Sequence, residues 1–198
     1  RFFYSRRARF ACKSRMETIM NTEEMMHTAL TLGAANAAVI LVKDIPFERE
    51  FRKMCEQNAC GMYGKSWMCP PFVGDIDTLI AQAQSYHAAL VYQTIGTLED
   101  SYDFEGMMEA GAKMNELTQK LRTAFDVSLK KSLHLGAGGC RMCEKCAKRD
   151  EKPCRFPDKA LSSLEAYGIS VSQLAELCGM KYINGQNTVT YFGAVLFE

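Results

Sequence analysis

The sequence predicts an α/β or α+β protein: a small mixed sheet of three to five strands flanked by helices, with cysteine-rich loops set against one sheet edge. Three observations lead there. Apolar runs rich in β-branched residues, at 37–42, at 88–96 and in the C-terminal tail, read as buried strands. Capped stretches with apolar residues at helical spacing lie between them. Seven of the nine cysteines fall in two glycine-containing segments that follow neither period.

Residues 1–15, RFFYSRRARFACKSR, carry six basic side chains (Arg1, Arg6, Arg7, Arg9, Lys13, Arg15) and no acid. Without them the chain keeps 18 basic against 23 acidic side chains, a net of −5. An Arg-rich, acid-free stretch can be an organelle-targeting peptide or a nucleic-acid arm. The plainer expectation is a non-native or disordered leader ahead of a start at Met16 or Met20, with one domain over 16–198. Cys12 is accordingly set apart from the chemistry.

From Asn21 the elements follow in order. Asn21 and Glu24 suit a helix start, and Met25, Met26, Ala29, Leu30 and Leu32 give an apolar face to about Ala35. AAVILV (37–42) is a strand that Pro46 helps to end. The charged run EREFRKMC is a helix delivering Cys55. Asp75 caps a helix to about Ser85, and AALVYQTIG (88–96) is the second strand. One long helix is expected from about Phe104 to Lys131, with Met107, Met108, Met114, Leu117, Leu121 and Phe125 toward the core. Lys159 to Tyr167 reads as a short helix. Ser170 caps another that runs through Cys178, a buried small hydrophobe, and ends at Gly179. In the tail, Asn184-Gly185 between two β-rich runs predicts a hairpin or final strand pair.

The chemistry concentrates in the two cysteine segments. Gly136 to Pro157 holds Cys140, Cys143, Cys146 and Cys154 at C-x2-C-x2-C-x7-C. Three cysteines at successive three-residue steps in a glycine-led loop can turn their sulfurs toward one point, and a fourth after Pro153 can close a four-thiolate cage. The run resembles ferredoxin-type iron–sulfur ligation, in which the fourth cysteine follows sooner and precedes the proline. Met54 to Gly74 holds Cys55, Cys60 and Cys69 at C-x4-C-x8-C, with Pro70 directly after Cys69. Three ligands are one short of a closed cage, so this group either takes a fourth ligand from elsewhere or leaves one iron open. Tyr63 and Trp67 could shield such a centre or simply pack in the core. His134 is a further possible ligand, as imidazole suits iron or zinc, although a histidine near a helix end is commonly structural. His27 and His87 have weaker claims.

Composition narrows the classes. A net charge of +1 over 198 residues makes no electrostatic case for nucleic acid. No apolar run reaches a membrane span, and no secretory signal pattern is present, so the expected compartment is cytoplasmic. Reduced thiols follow from that, and an odd number of cysteines cannot all pair within one chain. The sequence lacks a G-x-x-x-x-G-K-[ST] loop, a G-x-S-x-G elbow and an H-E-x-x-H pair. It also lacks the C-x3-C-x2-C of radical S-adenosylmethionine enzymes. Glu56, Glu144 and Asp150 lie near cysteines without geometry that marks them as acid or base.

CEQNACGMYGKSWMCPPFVG paired with GAGGCRMCEKCAKRDEKPCRFP, followed by ALSSLEAYGISV, resembles the DUF2284 family of predicted metal-binding proteins from about Val39 to the C-terminus. The resemblance implies metal binding in a prokaryotic, often anaerobic, cytoplasm. It carries over Cys55, Cys60, Cys69, Cys140, Cys143, Cys146 and Cys154 as ligands, and it implies no reaction. The leader before Met16 has no counterpart in it.

Four thiolates satisfy tetrahedral zinc as well as a [4Fe–4S] cluster. Zinc sites usually split their ligands into two separated pairs, whereas here three ligands come from seven consecutive residues, a wrap suited to a cube with several iron corners. The expectation is one or two [4Fe–4S] clusters used in electron transfer or redox chemistry, with a redox partner protein or a small-molecule substrate. Arg141, Lys145, Lys148 and Arg155 would offset cluster charge, receive an anionic substrate, or form a solvated face. The alternative is a structural zinc module acting through protein partners. Whether the protein is an enzyme, and its oligomeric state, are left open by the sequence.

Overall fold

A computed structural model describes residues 21–126 and 128–198, so the expected leader, with Cys12, lies outside the described residues. The order is α1 (Thr22–Leu32), β1 (Asn36–Leu41), α2 (Glu50–Glu56), α3 (Ile76–Gln84), β2 (Ala88–Thr97), α4 (Phe104–Phe125), β3 (Ser132–Gly136), β4 (Ser162–Ser163), α5 (Val171–Leu177) and β5 (Thr188–Phe197). Three short 3-10 turns, at Val42–Asp44, Ala147–Asp150 and Glu165–Tyr167, join them. The strands form one mixed sheet in the order β1-β2-β5-β3-β4. All neighbours are antiparallel except β3 and β4. The expected mixed sheet flanked by helices is what the chain forms.

Period-two alternation explains the layers. Ala89 and Val91 of β2, with Phe192, Ala194 and Leu196 of β5, pack against Leu79 and Ala83 of α3 and Leu174 and Ala175 of α5. Ala88, Leu90 and Tyr92, with Val195 and Phe197, face Met25 and Ala29 of α1 and Met114, Leu117 and Leu121 of α4. The sheet is therefore sandwiched between two helical layers, and its two central strands are buried on both faces.

Local signals set most boundaries. Asn21 Oδ1 accepts from the Glu23 N–H at 3.0 Å to start α1, and Gly33, in the left-handed region at φ +116°, ends it before Ala35. Leu30, expected on its apolar face, is exposed. The β1 strand ends at Leu41, ahead of Pro46. Asp75 Oδ1 accepts from the N–H groups of both Asp77 and Thr78 to start α3.

Three expectations need correction. The long helix ends at Phe125 rather than Lys131, because Leu129 turns back onto the core beneath α4 and Ser132 already begins β3. Met108, on its expected apolar face, is exposed. Residues 159–167 form no α-helix: Ser162 and Ser163 pair with Leu135 and Gly136, and a 3-10 turn follows. The tail makes a single ten-residue strand instead of a hairpin. β5 sits between β2 and β3, so both its edges are already taken. The preceding Tyr182 and Ile183 stay exposed. Asn184 instead anchors the turn, its Nδ2 donating to Lys181 O and Thr190 Oγ1, both at 3.0 Å.

Candidate metal centre

The two cysteine segments meet at the β3–β4 edge. The loop from Ala137 to Leu161 joins those strands, and the segment from Gln57 to Gly74 joins α2 to α3. Ser162 Oγ of β4 donates to Met68 O at 3.1 Å, tying the first segment to the sheet. The Trp67 indole N–H donates to Lys152 O at 2.9 Å, tying it to the second. Trp67 also stands edge-on to Phe72, with ring centroids 5.4 Å apart, and the Lys148 ammonium lies 4.1 Å from the Phe72 ring and 5.0 Å from Trp67.

Cys140, Cys143, Cys146 and Cys154 line one cavity, and Ser66, Trp67 and Met68 of the other segment complete its wall. Local backbone makes this possible. Gly138 takes φ +65°, which a residue with a Cβ rarely adopts, and the 3-10 turn after Cys146 folds Lys152 N–H back onto Ala147 O at 3.0 Å. Arg155 Nη1 donates to Lys145 O at 2.9 Å, closing the loop between Cys146 and Cys154. The cavity they line is narrow, about 10 Å³. Among the described residues no three His, Cys, Asp or Glu groups lie close enough to hold one metal ion. The thiols share a wall without converging on a point.

Electrostatics at the thiols differ. Burial works against the Cys146 thiolate, but hydrogen bonds from the Lys148 and Trp67 N–H groups and from Ser66, with the Arg155 charge, outweigh it and bring the thiol below its ordinary pKa. Cys69 is pushed up to about 11, mainly by burial, with added repulsion from Cys60, Cys55 and Cys140. Cys55 is raised by burial, which the neighbouring Arg52 charge opposes. These mutual influences place Cys55, Cys60 and Cys69 in one neighbourhood, with Cys140 at its border. All seven, and Cys178, are free thiols.

Two features fit an anionic thiolate group. Arg52, beside Cys55, donates from Nη1 to Gly74 O at 2.9 Å while its buried Nε and Nη2 find no partner. The glycine-rich turn brings backbone close to sulfur: a Cβ on Gly139 would stand 3.7 Å from Cys69 Sγ. By its chemistry the donor set suits a thiolate-bound metal or cluster; Cys140, Cys143, Cys146 and Cys154 are the residues that would hold it, with Cys55, Cys60 and Cys69 adjoining.

The other expected residues take varied positions. Of the four basic residues, Arg155 lines the cavity. Lys145 pairs with Asp150 at 2.5 Å, Lys148 covers the aromatic pair, and Arg141 lies over Gly111 of α4. Trp67 takes a wall position, whereas Tyr63 does not line the cavity. His134 sits on β3 beside the end of α4 and does not join the cysteines: its Nε2 lies 3.4 Å from Oδ1 of Asp126, the residue that ends that helix. His27 and His87 are exposed. Sequence reading missed Ser66 and Arg52, since neither a serine between cysteines nor an arginine on a charged helix carries a distinguishing pattern.

Among the described residues no helix is long and apolar enough to cross a membrane. The model of the family described as predicted metal-binding protein (DUF2284) matches residues 38–197. No curated protein and no solved structure matches the chain.

Proposed function

The chain belongs to the DUF2284 family of predicted metal-binding proteins, and from that premise we propose that it carries a [4Fe–4S] cluster on Cys140, Cys143, Cys146 and Cys154 and uses it in electron transfer or redox chemistry. The observation that carries this reading is the shared cavity: four cysteines from one loop line it, and the other cysteine segment supplies the rest of its wall. Cys55, Cys60 and Cys69 are the ligands of a second centre, close enough to the first for Cys140 to influence Cys69. When bound, such a cluster accepts or releases one electron at a potential set by surrounding charge, hydrogen bonds and exposure. The chain's own contributions are the N–H donors of Lys148 and Trp67 at Cys146, the Arg52 charge at Cys55, and the Trp67–Phe72 cover. Electrons pass to a redox partner protein or to a small-molecule substrate, in a cytoplasm that keeps thiols reduced.

The alternative is a structural zinc, since four thiolates satisfy its tetrahedral shell as well as they satisfy a cluster. The cage itself is tested by Cys143→Ser. Bound metal per chain should fall by the content of one centre, with the fold retained by circular dichroism. Unchanged metal content would remove Cys143 from the ligand set.

A further inference from the structure

The sheet has two outer strands, β4 and β1, and they differ. β4 is two residues long and is tied to the cysteine segment at Met68. β1 is six residues long and pairs only with β2. The Val42 N–H donates to His87 O, one step beyond the β1–β2 register, so by alternation Ile40 and Ala38 turn their main chain toward β2. Ala37, Val39 and Leu41 therefore point their N–H and C=O groups away from the sheet. Among the described residues no strand meets them.

Proteins blunt a free edge with a charged side chain, a proline or a bulge. NAAVIL has no charge and no proline, and its register with β2 is unbroken. All six side chains are half-buried or exposed, Leu41 at 36%. The helix above the edge is apolar as well. α1 lies over β1, and α4, over β2 and β5, packs on its inner flank. Leu30, 46% exposed, is therefore on the flank turned to the free edge, one turn from the half-buried Met26 and two from Thr22. That row is uncharged. The last turn of α1 has no basic side chain to meet its partial negative charge. Lys43, exposed just beyond β1, has no carboxylate partner among the described residues.

We propose that β1 is the seam of a homodimer: a second copy of this chain pairs its own β1 antiparallel across a two-fold axis at Val39, joining two five-stranded sheets into one. Pairing about Val39 sets Ala37 opposite Leu41 of the second copy. Each outward N–H and C=O then finds a partner, and a small side chain meets a large one. The same axis lays the two α1 helices side by side on one face of the joined sheet, with their Met26–Leu30 flanks in contact. It also brings Lys43 beside Ala35 of the second copy, just past the C-terminal end of α1, where a cation complements the helix dipole. Main chain, apolar flank and charge are thus each satisfied by the chain's own surface, which singles out a second copy over an unrelated strand. The seam does not depend on which metal the cysteine loops hold.

Sedimentation velocity of the full chain, purified anaerobically and run as a dilution series, tests the assignment. The parent protein should sediment as a dimer that dissociates on dilution. Leu41→Lys and Leu30→Lys should each weaken self-association at least about tenfold, because each would bury an unpaired charge at the seam. Leu177→Lys changes a comparably exposed leucine on α5, in the opposite helical layer, and should leave the dimer intact. Hydrogen exchange over residues 36–41 should be slow in the parent dimer and in Leu177→Lys, and fast in both seam variants. Circular dichroism and unchanged metal content establish that each variant is folded. A parent protein that is monomeric throughout, a dimer that both seam variants leave intact, or one that Leu177→Lys weakens equally would each overturn the proposal. So would dimers that form only after removal of residues 1–15, which would give the edge to that segment. Metal content is measured on the same samples, so failure of the iron–sulfur reading is recorded separately from failure of this seam.

Discussion

His134 shows how one residue's environment becomes a property of the fold. Its imidazole is buried on β3 between the opposing influences of Asp126 and Arg122, and burial prevails, lowering its pKa to about 4. In the unfolded chain the same ring titrates at about 6.5. Below that value the unfolded state takes up a proton that the folded state refuses, so stability falls as pH drops from about 6.5 to about 4. Urea unfolding at pH 7 and pH 4.5 should show a loss on the order of 2–3 kcal/mol for the parent protein beyond the loss seen in His134→Phe. Equal pH sensitivity in the two proteins would contradict the buried neutral ring. The position of His134 was not legible in the sequence. SLHLG is too short to establish a strand period, and the extended α4 pattern runs toward it.

At the scale of elements, the pairing of β2 with β5 is the structural spine, and Tyr92 crosses it. Tyr92 is opposite Gly193 in register, and a Cβ at 193 would stand 2.6 Å from the tyrosine ring. Gly193→Ala should therefore cost about 1–3 kcal/mol through overpacking, read as a lower urea midpoint with unchanged slope. Tyr92→Phe removes the 3.0 Å hydrogen bond to Thr118 Oγ1 and should cost about 1 kcal/mol. In a cycle of Gly193→Ala with Tyr92→Ala, the losses of the two single variants should sum to more than the loss of the double variant, because the clash disappears with the ring. Additive losses would show that the two residues are not in contact. Trp67 joins the two cysteine segments through Lys152 and the Phe72 contact. Trp67→Ala should lower stability by about 2 kcal/mol and speed metal loss to a chelator. Unchanged chelation kinetics would mean the segments hold together without it.

Over the whole molecule, legibility followed the strength of the local pattern. β1, β2, α1 and α3 could be read because continuous apolar runs and capping side chains mark them, within a few residues of their observed ends. β4 could not, since two serines have no strand period and owe their geometry to pairing with β3. The tail misled because an Asn-Gly pair is a hairpin signal, yet here Asn184 bonds Lys181 and Thr190 to deliver β5 into the sheet centre. The cysteine spacings singled out the loop whose four thiols line one cavity, and the expected placement of both loops at one sheet edge is the observed one. That Ser66 to Met68 would wall the other segment's cavity depends on contacts 85 or more residues apart, such as Trp67 with Lys152 and Met68 with Ser162. Sequence separation of that size hides such contacts from any local pattern.

The central claim is that the loop from Cys140 to Cys154 holds a [4Fe–4S] cluster. It is tested most directly by iron, sulfide and zinc content with an absorption spectrum, on one sample of protein purified without oxygen. The account predicts roughly four or eight irons per chain, matching sulfide, and a broad band at about 400 nm that bleaches on reduction. One zinc, no sulfide and a colourless solution would contradict it and make the cage structural.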